Sequence, residues 1–111
     1  MAAVTNGVKG QQVPNIDAFK FIYNRYTKSR GEPRMYEIFC ANCKKLVLIY
    51  QKDGSGQLLR CYFDRIHHPK TLTDKTKLNC QNCGKLIGTG MVYKPENRPA
   101  YRMIHAAYYK G

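Results

Sequence analysis

Tryptophan is absent from this chain of 111 residues, and acidic residues are scarce: seven Asp and Glu stand against 19 Lys and Arg, a formal charge of +12. No apolar run approaches the ~18 residues of a membrane-spanning helix. No charged-then-apolar leader follows Met1. The few carboxylates are scattered, which does not indicate acid–base catalysis, and no known glycine-rich phosphate loop occurs. We therefore expect an intracellular, cytoplasmic, reduced protein that is not an enzyme.

Five cysteines cannot all pair as disulfides within one molecule. Four of them form two C-x-x-C pairs, Cys40/Cys43 and Cys80/Cys83. In a reducing compartment such pairs indicate metal or redox chemistry, and four thiolates around one ion are the usual composition of a structural zinc site. An iron ion, a redox dithiol and two separate pairs without a metal are the alternatives. We predict one structural Zn²⁺ held by these four cysteines.

The fifth cysteine and the histidines carry a weaker signal. Cys61 falls on the apolar side of a predicted strand, so we expect a buried, unreactive thiol. The adjacent His67 and His68 precede Pro69 in a polar stretch. We interpret them as solvated surface residues rather than as a second metal site.

The chain divides at residue 35 in composition and pattern. Residues 1–34 are predicted to be a basic N-terminal arm, disordered over residues 1–15. A short helix follows over about 16–28, with Asn15 as N-cap and Asp17 in the first turn. Residues 35–111 are predicted to be the compact domain.

Period-two patterning in the compact domain predicts strands. Residues 45–52 and 57–64 flank Asp-Gly-Ser-Gly, a hairpin signal because glycine tolerates positive φ. With the turn at Gly54-Ser55, residue 50 pairs with 59, 48 with 61 and 46 with 63. The apolar face of this hairpin, expected to form the core, is Leu46, Leu48, Tyr50, Leu59, Cys61 and Phe63.

The remaining segments follow from the same rules. Residues 65–79 are polar and basic, which predicts a loop leading back to the metal. Residues 85–94 predict a strand, residues 95–99 a turn, and residues 100–109 a further strand, with a helix as the alternative.

Cys40-x-x-Cys43, the predicted hairpin and Cys80-x-x-Cys83-Gly84-Lys85 with its following strand resemble the zinc-ribbon (rubredoxin-like) fold over residues 35–93. The resemblance implies a mainly β, small α+β protein with an antiparallel sheet. It also implies that each knuckle, the turn around one C-x-x-C pair, supplies two zinc ligands. Residues 44–79, between the knuckles, form a longer segment than the common spacing of about 15–20 residues.

The basic charge and the nine tyrosines suggest the partner. A zinc ion with four thiolates would carry −2 and leave about +10, which favours a polyanion. Lys and Arg would contact phosphates, and exposed Tyr would stack on unpaired bases. We expect nucleic-acid binding, to RNA or the ribosome before DNA. The alternative is a protein–protein adaptor or inhibitor that docks an acidic partner surface, with a homodimer as one form. The candidate binding residues are Lys44, Lys45, Arg60, Tyr62, Lys85, Arg98, Tyr101 and Arg102.

Overall fold

Two four-stranded antiparallel sheets form the framework of residues 14–111, the part of the chain that this computed structural model describes. The predicted mainly β class is confirmed. The strands are β1 (Pro33–Cys40), β2 (Leu46–Asp53), β3 (Arg60–Tyr62), β4 (Ile66–His68), β5 (Lys77–Asn79), β6 (Leu86–Tyr93), β7 (Arg98–Met103) and β8 (Tyr108–Lys110). The first sheet has the order β4-β2-β1-β8 and the second the order β3-β7-β6-β5.

Each sheet contains one hairpin whose turn is a cysteine knuckle. In the first sheet β1 and β2 pair from Pro33↔Asp53 to Phe39↔Leu46, and the first knuckle connects them. In the second sheet β5 pairs with β6 on either side of the second knuckle. The two knuckles are therefore the tips of two hairpins, one from each sheet.

The inner faces of the two sheets share one core. Ile38 lies opposite Leu48 in the first sheet, and Cys61 lies opposite Tyr101 in the second. All four side chains are at most 2% exposed. A hydrogen bond of 2.9 Å from the backbone N–H of Tyr62 to the hydroxyl of Tyr50 links the sheets inside this core, so that the buried phenol is satisfied.

The predicted single helix over 16–28 is wrong in extent. Asn15 does cap a helical turn, but that turn is a short 3₁₀ segment, Ile16–Ala18. The α-helix, α1, spans Arg25–Arg30 and begins at a second cap, Asn24. Asn24 and Thr27 exchange side-chain-to-backbone hydrogen bonds as a capping box, which starts a new helix at this point.

A buried polar network holds the segment before α1 against the first sheet. The Gln51 amide accepts from the backbone N–H of Ile22 and donates to its carbonyl, both at 2.7 Å. The Arg65 guanidinium donates to Asp53 at 2.9 Å and to Asn24 at 2.7 Å. Because these backbone groups of Ile22 bond to Gln51, they are not used in a continuous helix. Residues 1–13, most of the stretch expected to be disordered, lie outside the described residues.

The predicted hairpin between residues 45–52 and 57–64 is wrong. Strand β2 pairs with β1 and β4, whereas β3 pairs with β7 in the other sheet. Leu48, Tyr50 and Cys61 are nevertheless buried together as expected, because the two strands face each other across the core. Leu59, placed on the same face by the predicted register, is 55% exposed. Residues 47–51 of β2 are all buried, so the expectation of a single core face is also wrong for this strand. An alternating apolar pattern suits two facing sheets as well as one hairpin, so it did not distinguish them.

The later segments match the predictions in part. The predicted loop at 65–79 contains two strands, β4 and β5, which is a correction. The strand over 85–94 is confirmed as β6, and it pairs with β7 as a hairpin. The predicted strand over 100–109 is interrupted, since β7 ends at Met103 and a 3₁₀ turn, His105–Ala107, precedes β8. None of the helices in residues 14–111 is long and apolar enough to span a membrane.

Candidate metal centre

The four predicted ligand cysteines converge where the two hairpin tips meet. The sulfurs of Cys40, Cys43, Cys80 and Cys83 all lie within 4.8 Å of one another. Across the knuckles, the Sγ atoms of Cys40 and Cys83 are 3.7 Å apart, and those of Cys43 and Cys80 are 3.5 Å apart. A tetrahedral site with metal–sulfur bonds of about 2.3 Å has sulfurs about 3.8 Å apart. These spacings fit one tetrahedral metal ion, and the four cysteines form a possible metal site.

The backbone of the two knuckles follows one pattern. The N–H of Cys40 donates to the carbonyl of Lys45, and the N–H of Lys44 donates back to the carbonyl of Cys40, both at 2.9 Å. Cys80, Lys85 and Gly84 repeat these bonds at 2.8 Å. The chain leaves each knuckle through a positive φ, 71° at Lys44 and 82° at Gly84. The second knuckle has a glycine at this position, whereas the first places a lysine in the left-handed conformation that glycine favours.

Two asparagines cross between the knuckles. The Asn42 amide donates to Cys83 Sγ at 3.4 Å, and the Asn82 side chain hydrogen-bonds Cys43. The bond from Asn42 and a backbone bond from Lys85 lower the pKa of Cys83 to about 6. Burial opposes ionisation of Cys43, but the bonds from Asn82 and from the Lys45 backbone outweigh it and lower its pKa.

The four thiols differ in exposure. Cys40 and Cys80 are at most 3% exposed, whereas Cys83 lies at the surface. Burial raises the pKa of Cys80 to about 12. A divalent cation at the centre of the cluster would stabilise the buried thiolate that solvent does not reach. Four sulfur donors in this geometry suit a soft or borderline metal ion rather than Mg²⁺ or Ca²⁺.

The fifth cysteine and His67 have opposite outcomes. Cys61 is fully buried, as expected, and burial raises the pKa of its thiol. The expectation that His67 is solvated is wrong: it is 8% exposed, and its Nε2 lies 3.1 Å from Gln51 Oε1. Its ring also packs edge-on against Phe19. Within residues 14–111, no histidine joins a group of side chains placed to hold a metal.

The candidate binding residues fall into two sets. Three of them are buried, so the expectation that they face a partner is corrected: these are Tyr62, Arg98 and Tyr101. The others reach the surface, fully for Lys44, Lys85 and Arg102 and in part for Lys45 and Arg60.

Arg98 is buried because it belongs to an arginine–tyrosine stack. Its guanidinium lies 3.7 Å from the ring centroid of Tyr26 and 3.8 Å from that of Tyr62. It also bonds Asp64 at 2.8 Å and Glu96 at 3.0 Å. No sequence pattern signals this stack, because its members come from three distant segments.

The outer face of the second sheet carries a cross-strand row of three cations and one threonine. Lys77 lies opposite Thr89, Thr89 opposite Arg102, and Arg102 opposite Arg60. Directly opposed residues of antiparallel strands point to the same side of a sheet. We call these four residues the basic row. Like charges that face each other across strands are unfavourable in the free protein, so the basic row is suited to an anionic ligand.

The net positive charge of the protein is carried by residues outside the ion pairs. Among residues 14–111, the salt bridges join Arg30, Arg65 and Arg98 to three carboxylates, so these charges cancel. The remaining cations greatly outnumber the remaining acids.

Comparison of the chain with protein-family models, with curated proteins and with solved structures found no significant match. Membership of the zinc-ribbon family stays a prediction.

Proposed function

We propose that this protein is a non-catalytic, zinc-stabilised protein that binds single-stranded nucleic acid, RNA in preference to DNA. The basic row carries the nucleic-acid part of this proposal. The cysteine cluster carries the zinc part, because thiolate sets of four in tetrahedral geometry are typical of closed structural zinc sites.

Zinc in this position would act on folding rather than on a substrate. All four donors are protein sulfurs, so a four-coordinate ion would have no open position for a reacting molecule. The ion would join the hairpins β1–β2 and β5–β6, which lie in different sheets. Binding free energy at such a site is folding free energy.

The geometry of the basic row suits a chain of phosphates. Neighbouring strands are about 4.8 Å apart, so the row spans about 14 Å from Arg60 to Lys77. Neither Arg60 nor Arg102 forms a salt bridge with a carboxylate of residues 14–111. Each phosphate that such a cation neutralises releases a counterion, which makes binding depend steeply on salt.

An aromatic pair beside the first knuckle supports single-stranded ligands. The rings of Phe39 and Tyr109 stack with centroids 5.4 Å apart, and Tyr109 is 40% exposed. Lys44 Nζ lies 5.5 Å from the Tyr109 centroid. An exposed ring next to a cation is the arrangement on which unpaired bases stack. Sequence-specific recognition of RNA is directed mostly at such unpaired bases.

The deciding experiment measures fluorescence anisotropy with matched single-stranded RNA, single-stranded DNA and duplex oligonucleotides over a series of salt concentrations. We expect the affinity to decrease in the order single-stranded RNA, single-stranded DNA, duplex. The slope of log K against log salt should become shallower by about 0.7 in Arg102→Ala and in Lys77→Ala, because each variant neutralises one phosphate fewer. Arg34→Ala, an exposed arginine of the first sheet, serves as the matched control. Binding that is weak and indifferent to salt would contradict the proposal.

The zinc part is tested separately by elemental analysis of the purified protein. We expect one zinc per chain, and iron or well under one metal per chain would contradict the assignment.

A protein partner is the second candidate function, and three consecutive exposed residues favour it. Phe21, Ile22 and Tyr23 are 38%, 39% and 70% exposed. Aromatic residues beside basic ones are enriched at protein interfaces. A pull-down with and without nuclease distinguishes the candidates, because a docked acidic protein or a second copy of the chain stays bound after nuclease treatment.

A further inference from the structure

A small cavity beside the Asp53 end of β2 is lined by five cationic side chains. Its volume is about 70 Å³. One buried water needs about 10–15 Å³ of such volume, so there is room for an anion with several oxygens. The cations are Arg30, Lys52, Arg60, Arg65 and Arg98, and Asp53 is the one acidic side chain in the lining.

The charges around this arginine cavity do not balance. Asp53 pairs with Arg65, while Glu96 and Asp64 pair with Arg30 and Arg98. Three of the five cations are therefore paired. The two without a carboxylate partner among residues 14–111 are Lys52, whose ammonium bonds the carbonyls of Gly54 and Ser55, and Arg60, whose Nε bonds the Tyr62 hydroxyl.

Neighbouring cations act on Lys52 in addition to its burial. Burial lowers the pKa of Lys52, and repulsion by Lys110 and Arg30 lowers it further, with Asp53 opposing in part. An anion next to the ammonium would offset both effects.

Two polar atoms on the cavity side chains lack partners. The Nε atoms of Arg30 and Arg98 are buried and have no hydrogen bond to any atom of residues 14–111. Arg98 as a whole is 5% exposed. An unsatisfied buried donor is unfavourable, and both arginines belong to the cavity lining.

We propose that the arginine cavity binds one phosphate group. Arginine presents a planar set of N–H donors that matches phosphate oxygens, and lysine adds a point charge. The guanidinium charges of Arg30 and Arg98 would add to the positive potential at the phosphate, and Lys52 and Arg60 would neutralise it.

The phosphate has two possible sources, inorganic phosphate and the terminal phosphate of a nucleic-acid strand. Arg60 lines the cavity and also ends the basic row. A strand that follows the basic row would reach the cavity with its terminal phosphate. This second source rests on the proposed nucleic-acid function, whereas binding of inorganic phosphate does not.

The test titrates inorganic phosphate into the full chain by calorimetry at constant ionic strength. In parallel, anisotropy compares one RNA sequence with a 5′-phosphate and with a 5′-hydroxyl. Lys52→Met and Arg60→Gln should each raise the Kd for phosphate about tenfold or more, since each removes a charge-assisted contact. Arg30 and Arg98 are left intact because their ion pairs and ring contacts also support the fold.

Arg102→Gln is the control, because Arg102 belongs to the basic row but not to the cavity lining. It should weaken RNA binding and leave the Kd for inorganic phosphate unchanged. Circular dichroism and metal content check that each variant is folded.

Phosphate binding together with a preference for the 5′-phosphate supports the cavity and assigns it to strand ends. Phosphate binding without a preference for the 5′-phosphate supports the cavity as a site for free phosphate. Phosphate binding without any RNA binding supports the same conclusion and contradicts only the proposed nucleic-acid function. If RNA binds without end preference and phosphate does not bind at millimolar concentration, the cavity proposal is overturned and the function stands. A loss of phosphate affinity in Arg102→Gln equal to that in Arg60→Gln would also overturn the cavity proposal.

Discussion

Asn42 Nδ2 lies 3.4 Å from Cys83 Sγ, so a residue of the first knuckle supports a sulfur of the second. Asn82 does the same for Cys43 in the opposite direction. Both knuckles have the sequence Cys-x-Asn-Cys, and the shared asparagine is the residue that hydrogen-bonds a sulfur of the other knuckle. Hydrogen bonds to a coordinating sulfur orient it and reduce its charge.

We predict that Asn42→Ala and Asn82→Ala each weaken metal affinity. Loss of such an outer-shell partner typically costs about 10–100-fold in affinity. The measurement is competition for zinc against a chromophoric chelator.

Gln81→Ala is the control for the asparagine variants. Gln81 is exposed in the second knuckle, and alanine already stands at the matching position, Ala41, of the first. Its affinity should equal that of the wild type. If Gln81→Ala weakened binding as much as Asn82→Ala, the crossing bonds would not be the cause.

Replacing a ligand cysteine should remove both the metal and the fold. Cys40→Ser is expected to lose the zinc and the cooperative unfolding transition, because a metal ion at this site would join hairpins of different sheets. Cys61→Ala is the matched control, since Cys61 is fully buried outside the cysteine cluster. It should keep the metal and lose about 0.5–3 kcal/mol of stability. A cooperative, metal-free Cys40→Ser protein would refute the structural role.

Stability should fall in mild acid partly because of His67. Burial, followed by the charges of Lys70 and Arg65, lowers the pKa of His67 from 6.5. The unfolded chain then binds a proton before the folded one does. The contribution of His67 to the free energy of unfolding is therefore complete above pH 6.5, and it is lost as the pH falls through the lowered pKa of the folded state.

The measurement is the free energy of unfolding from pH 7.5 to 5 at fixed zinc loading. His67→Gln should show a smaller decrease with falling pH than the wild type. His105→Gln, at an exposed site, should follow the wild type. His68, whose pKa burial also lowers, accounts for part of what remains. An unchanged slope in His67→Gln would contradict the assignment.

Two glycines should respond differently to alanine. At Gly90 an added Cβ would collide with the carbonyl oxygen of Lys75, and the Gly90 N–H is bonded to Thr76 at 2.7 Å. Gly90→Ala should cost about 2 kcal/mol or more. At Gly84 the Cβ would meet no atom within 4 Å, but φ is +82°. Gly84→Ala should cost about 1 kcal/mol through backbone strain alone. Chemical denaturation distinguishes them, and equal losses would contradict this account.

The burial of the strands was predictable only in part. Leu48, Tyr50 and Cys61 lie on the predicted apolar face and are in the core, but Leu59 on that face is exposed, and residues 47–51 of β2 are all buried. Which strand pairs with which was not predictable, because a facing strand in another sheet buries the same positions as a hairpin partner. The helix at 16–28 failed for a related reason: Gln51, far along the chain, takes the hydrogen bonds of Ile22.

By itself, the sequence determined the composition of the metal site and the excess of positive charge. Two sulfurs three residues apart are brought together by a local turn, and charge is a sum over residues that needs no fold. Tertiary structure alone decided which basic and aromatic residues are available. It buried Arg98 between Tyr26 and Tyr62 and aligned Arg60 with Arg102 on an exposed face. Those outcomes depend on strand pairing between distant segments, and such pairing is set by the packing of the whole core.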